Sequence, residues 1–243
     1  MSFQVIVNGP MYKLFISGLA TVATDAIVTF GPEKITCNAL TPNGDLMVSG
    51  LIPPFKTTLT VPQSIIINLE EEITMLGDEV LPDELVLQYH EGVLYAFPDV
   101  DEADIPDEIM IFEHKCVATS SDHPEPPRIN YPLRFSIDTE ALKGYIHKLN
   151  PSKDIIMSYE NGPMYLADGS WKDKVEIPGT DFFITRLTRG SYSSLFDRDL
   201  LESVINSMEL FESVSIALGE DLPLIVVGID PNLKLGYMIA QQV

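Results

Sequence analysis

The sequence predicts an α+β fold built as two similar units, each combining antiparallel sheets with short helices. Three observations predict it. Short β-like runs of branched and aromatic residues dominate the chain. Helical patterns are few and short. One shift, of 129 residues, brings two separate pairs of segments into register.

The elements follow in order. Residues 13–22 carry a first, weak helical pattern, and Asp25-Ala26-Ile27-Val28-Thr29-Phe30 reads as the strand after it. Residues 69–76 carry a second weak helical pattern, followed by the strand around Leu85-Val86-Leu87-Gln88-Tyr89. In the second half, Leu142, Tyr145, Ile146 and Leu149 recur at helical spacing behind the capping region Asp138-Thr139-Glu140. The strand Ile155-Ile156-Met157-Ser158-Tyr159 follows. Residues 197–210 place Leu200, Leu201, Val204, Ile205 and Met208 on one helical face, before the strand Val214-Ser215-Ile216-Ala217-Leu218. With the shift, Asp25–Phe30 lies over Asp154–Tyr159, and Leu85, Leu87, Tyr89 and Glu91 lie over Val214, Ile216, Leu218 and Glu220. A candidate helix precedes each matched strand. The chain therefore reads as two copies of a helix–strands–helix–strands unit.

Residues 119–132, TSSDHPEPPRINYP, carry four prolines and no apolar period. They are expected to be extended and exposed, a connector between compact units. The expected division is a first domain over residues 1–118, a connecting loop over 119–133 and a second domain over 134–243.

The 243 residues leave room for two domains of about 120 residues each, and a hydrophobic share of 45% supports a packed core. No apolar run is long enough to span a bilayer, and the start MSFQV lacks the basic and apolar regions of a signal peptide. With Cys37 and Cys116 as the two cysteines, no disulfide framework is expected, which fits a reducing, intracellular setting. The formal charge of −21 argues against direct affinity for phosphates. It leaves two readings: an acidic protein kept apart by repulsion, or one whose few cations gather on one face.

Enzymatic motifs are missing. The chain has no Gly-x-Ser-x-Gly, Walker loop, His-Glu-x-x-His or Gly-x-Gly-x-x-Gly. His114 and Cys116 alternate on one strand, but two ligands do not make a zinc site. Ser120-Ser121-Asp122-His123 has adjacency without triad geometry. The run Asp99-Val100-Asp101-Glu102-Ala103-Asp104 reads as a solvated acidic loop rather than a cation site. No cofactor, metal or catalytic residue is expected.

Several segments resemble the proliferating cell nuclear antigen (PCNA) family of DNA sliding clamps, archaeal and eukaryotic. Asp221-Leu222-Pro223-Leu224-Ile225-Val226-Val227, running on to Leu235-Gly236-Tyr237-Met238-Ile239-Ala240, resembles the family's C-terminal strands. Asn38-Ala39-Leu40-Thr41-Pro42 is similar to the segment after its first hairpin, and Asp107-Glu108-Ile109-Met110-Ile111-Phe112 to the strand closing its first domain. The proline-rich connector sits where the family has its interdomain loop. The resemblance covers nearly the whole chain.

The resemblance implies two clamp domains per subunit, with antiparallel sheets outside and short helices inside, closed head-to-tail as a homotrimeric ring. Duplex DNA passes through the hole. DNA polymerase, nuclease, ligase and clamp loader dock by short peptide motifs, and the clamp itself performs no chemistry. The partner-peptide groove would comprise Leu40, Ile129, Pro223, Met238, Ile239 and Ala240. The DNA-facing cations would be Lys13, Lys143, His147, Lys148 and Arg198. The subunit interface would pair the edge carrying Ile109 and Ile111 with the one carrying Lys174, Val175 and Ile177. Plain core packing and solvated surface charge are the competing readings of these residues. The expected place of action is inside a cell: nucleus, nucleoid or prokaryotic cytoplasm, or as a virus-encoded protein in an infected cell.

The chain departs from the family in three places. Asn68-Leu69-Glu70-Glu71-Glu72-Ile73 is acidic where relatives place lysines, Gly144 replaces a basic residue, and no proline follows Ala240. Two other readings stay open: a non-encircling or heteromeric clamp-like protein, and an acidic α+β enzyme without a recognisable motif.

Overall fold

The computed structural model describes residues 2–77, 80–99, 112–121 and 124–242. Its architecture is α+β, with four short helices among the described residues and mostly antiparallel strand pairing. The chain folds as two compact units. One holds Met1–Ala39, Val48–Pro126 and Pro231–Lys234, and the other Leu40–Met47, Pro127–Asp230 and Leu235–Val243. The proline-rich connector is thus divided between Pro126 and Pro127. Leu40–Met47 joins the second unit, which no boundary drawn along the sequence anticipates; the Ala240 N–H donates to the Asp45 carbonyl at 2.7 Å and ties the two segments.

The first half of the chain runs β1 (Ser2–Val7), α1 (Gly9–Ala20), β2 (Asp25–Phe30), β3 (Ile35–Leu40), β4 (Leu46–Ile52), β5 (Lys56–Thr57), β6 (Gln63–Asn68), α2 (Leu69–Leu76), β7 (Leu85–His90), β8 (Val93–Pro98), β9 (Phe112–Lys115) and β10 (Val117–Thr119). It makes a sheet ordered β5-β1-β7-β8-β9 and a run β10-β6-β2-β3-β4. The second half runs β11 (Leu133–Asp138), α3 (Thr139–Lys148), β12 (Asp154–Glu160), β13 (Met164–Asp168), β14 (Lys174–Ile177), β15 (Phe182–Leu187), β16 (Ser191–Asp197), α4 (Arg198–Ser207), β17 (Ser213–Leu218), β18 (Leu224–Asp230) and β19 (Leu233–Ile239). It repeats the plan as β15-β11-β17-β18-β19 and β14-β13-β12-β16.

The internal repeat extends to the helix caps. Each helix starts behind an Asn or Asp whose side chain accepts a backbone N–H three residues on: Asn8 from Met11, Asn68 from Glu71, Asp138 from Ala141 and Asp197 from Leu200. Such a cap satisfies an orphan donor and contributes about 1 kcal/mol. α1 begins at Gly9, earlier than the apolar period suggests, because Asn8 caps it and Pro10 fits the first turn. Gly9 is also held by contact: a Cβ there would lie 2.2 Å from the Pro82 carbonyl oxygen.

The strands bury alternate residues. On β11 these are Leu133, Phe135 and Ile137; on β19 they are Leu233, Leu235, Tyr237 and Ile239. The helices add Tyr12, Phe15, Ile16 and Leu19 in one unit and Leu142, Tyr145 and Ile146 in the other. Cys37 and Cys116 are free and buried, and burial pushes both thiols up to about 12.

Candidate partner-docking and DNA-facing residues

The proposed groove residues all belong to the second unit. Leu40 ends β3 and is 45% exposed, an unusual position for a leucine. The turn after it is closed by hydrogen bonds. The Thr41 N–H donates to the Leu46 carbonyl, Thr41 Oγ1 to Asp45 Oδ1, and Asn43 Nδ2 to Asp45 Oδ2. Gly44 sits at φ +77, which a glycine reaches without strain. Asp45 then accepts from the Ala240 backbone, so Leu40 and Ala240 are held by one turn.

Tyr131, two residues after Ile129, ties the connector to Pro223. Tyr131 is fully buried, and its hydroxyl donates to the Pro223 carbonyl oxygen at 2.8 Å. Burial pushes its phenol up to about 12, so it stays a donor at neutral pH. Ile129, Pro223, Met238 and Ala240 are all half-buried, as residues lining a shallow docking surface would be. Ile239 is different. It is fully buried on the core face of β19, so it packs the interior, and its neighbour Met238 takes the other face. Asp45 and Tyr131 were not singled out in the sequence; the Asn43-Gly44 turn was the available signal for the first.

The cations expected to face DNA are mostly engaged within the protein. Lys13 donates to the Gly77 carbonyl at the end of α2. Lys143 lies 3.2 Å from Glu140 and 3.5 Å from Glu209, with its side chain largely covered. Arg198 is buried, donating to the Asn150 carbonyl at 2.8 Å, the Ile146 carbonyl at 3.1 Å and Glu202 at 2.7 Å. Arg198 is therefore a structural brace rather than a surface cation. Lys148 is exposed with its ammonium 4.6 Å from the centre of the Tyr145 ring, and His147 is exposed.

The acidic helix α2 also differs from its appearance in sequence. Glu70 and Glu71 are on the surface, but Glu72 is 2% exposed. It accepts from Tyr12 Oη at 2.9 Å and from His114 Nδ1 at 2.6 Å. That hydrogen bond holds the His114 imidazole above its ordinary range against the opposing effect of burial.

Among the described residues, β9 and β14 are each the outermost strand of their sheet. β14 presents Lys174 and Glu176 to solvent, with Val175 half-buried and Ile177 buried. Ile109 and Ile111 lie outside the described residues, as does nearly all of the acidic run after Asp99.

No family model matches the chain. The solved PCNA of Thermococcus kodakaraensis superimposes with a TM-score of 0.83 at 18% identity, covering 99% of this chain and 100% of that one. The chain has the fold of the PCNA-type sliding clamps. The Entamoeba histolytica proliferating cellular nuclear antigen gives 0.82 at 14% identity over 99% of both chains. A PCNA2–PCNA3 complex from Sulfolobus tokodaii gives 0.80 at 15% identity, covering 98% of this chain and 99% of that one. In sequence, a DNA polymerase sliding clamp of Methanocella arvoryzae is 23% identical over 236 residues, 91% of this chain and 89% of that protein. The clamp fold thus spans the chain from end to end, both repeats included.

Proposed function

We propose that this chain is a divergent DNA sliding clamp, a non-enzymatic ring subunit that encircles duplex DNA and tethers DNA polymerase and other replication enzymes to it. The observation that carries this reading is the end-to-end likeness to solved clamps over both repeat units. Tethering by enclosure needs no strong phosphate contact, which reconciles the role with a charge of −21. With Lys143 flanked by two carboxylates and Arg198 buried, attraction to DNA is weak and is screened beyond about 10 Å at 0.1 M salt. Enclosure holds the protein on DNA; partner docking gives it a use.

In this reading the edges β9 and β14 pair between subunits, and Leu40, Ile129, Pro223, Met238 and Ala240 receive partner peptides. Its place of action is wherever the DNA is, inside the cell. Light scattering tests the assembly. A homotrimer predicts three times the chain mass of 27.0 kDa. A mass of one chain at every concentration contradicts a homotrimer. A ring that forms only with a second clamp protein supports the heteromeric form, of which the Sulfolobus tokodaii complex is a structural precedent.

A further inference from the structure

β15 is the last strand of its sheet, paired to β11 on one side and to no described strand on the other. Its pairing with β11 contains a bulge: Arg134 faces Arg186 and Phe135 faces Ile184, leaving Thr185 without an opposite residue. The consequence is specific. β11 buries Leu133, Phe135 and Ile137, so Arg134 and Ser136 point to its other face. Their partners Arg186 and Phe183 share that face, two ladder steps apart instead of alternating away from one another.

This strip is chemically unlike the rest of the protein. Phe183 is 72% exposed. Arg134, Arg186 and Arg189 are exposed, and among the described residues none has a carboxylate partner. Two arginines directly opposite on neighbouring strands repel one another. Such a pair is costly to keep unpartnered in a chain with 36 carboxylates. Charge and a bulge also protect an edge from unwanted pairing, but protection does not account for an exposed phenylalanine two ladder steps from the arginine pair.

We infer that β15 is a docking edge for an extended acidic peptide of a partner protein, which adds to the sheet as a further strand. Its backbone meets the open N–H and C=O groups of β15. A carboxylate reaches Arg186 and Arg134, and an apolar residue two positions away covers Phe183. The matching pattern is acidic-x-apolar. Duplex DNA fits less well, since it offers no strand to the open edge and no apolar group to Phe183. None of the groove residues around Leu40 and Pro223 takes part, and binding does not depend on ring closure.

The test uses the full-length protein and a fluorescein-labelled peptide repeating Glu-Ser-Leu-Ser, which sets glutamate and leucine two positions apart on one strand face. The control peptide carries lysine in place of glutamate. Fluorescence anisotropy is expected to show saturable binding of the acidic peptide and at least tenfold weaker binding of the control. Arg134→Glu with Arg186→Glu should weaken binding tenfold or more, and Phe183→Ser about fivefold, with thermal unfolding unchanged because all three side chains are exposed. Equal binding of both peptides, or none, overturns the proposal. So does an unaffected Arg134→Glu/Arg186→Glu variant, preferential binding of a single-stranded oligonucleotide, or self-association abolished by Phe183→Ser.

Discussion

The two repeats brace their helices with opposite charges. In the first unit, α2 contributes the carboxylate of Glu72, which ties α1 through Tyr12 and the edge strand β9 through His114. In the second, α4 contributes the guanidinium of Arg198, which ties the end of α3 through the carbonyl oxygens of Ile146 and Asn150. The difference teaches what each charge requires. A guanidinium is satisfied by backbone carbonyls, which the last turn of any helix leaves without partners. A buried carboxylate needs donors, and here two side chains supply them. The first brace therefore includes an imidazole whose pKa the carboxylate raises, and the second contains no imidazole.

The largest effect expected from breaking this comparison is Glu72→Ala. It strands the His114 ring and the Tyr12 hydroxyl in the core and should cost about 3–5 kcal/mol in urea unfolding. Arg198→Ala leaves carbonyls that water reaches more readily and should cost about 1–3 kcal/mol. Equal losses would mean that the two braces do the same work.

The next effect is pH dependence. The hydrogen bond with Glu72 raises the folded pKa of His114, while the unfolded value is about 6.5. Its stabilisation is therefore complete below about 6.5 and is lost as pH rises through the folded value. Glu71 favours the same protonated form, since its carboxylate lies 3.6 Å from His114 Nε2, which makes no hydrogen bond among the described residues. The triple variant Tyr12→Phe, Glu72→Met, His114→Leu should remove this dependence while keeping stability within about 2 kcal/mol of the parent, as apolar replacement of buried ion pairs does elsewhere. A stability–pH curve unchanged in the triple variant would place the titrating group elsewhere.

The smallest effect contrasts two helix glycines. Gly144 in α3 has open space where a Cβ would go, so Gly144→Ala should stabilise by up to about 1 kcal/mol. Gly9 in α1 has the Pro82 carbonyl oxygen there, and Gly9→Ala should destabilise. Thermal unfolding of the two variants reads both signs.

Much of the fold was legible because its signals are local. The repeat offset, the strand alternation and the capping residues before the helices all sit within short windows. Ile239 was legible too: β19 alternates Leu233, Leu235, Tyr237 and Ile239 inward, so period two puts Met238 and not Ile239 on the outer face. The braces were not legible. In Asn68-Leu69-Glu70-Glu71-Glu72 the third glutamate looks like its neighbours, and it is Tyr12 and His114, 60 and 42 residues away, that make its burial tolerable. Arg198 read as a surface cation for the same reason, since the backbone carbonyls that bury it are 48 and 52 residues away. The open edge of β15 is a property of sheet order, which residues 182–187 do not state by themselves.

Enclosure, rather than affinity, is the core of the functional account, and one measurement addresses it directly. The protein is loaded onto nicked circular DNA with a clamp loader, washed at high salt, and followed before and after the circle is cut once. Enclosure predicts retention on the circle through the salt wash and loss from the free ends once it is linear. Salt-sensitive release from the intact circle, or equal retention on the circle and the cut DNA, would contradict it.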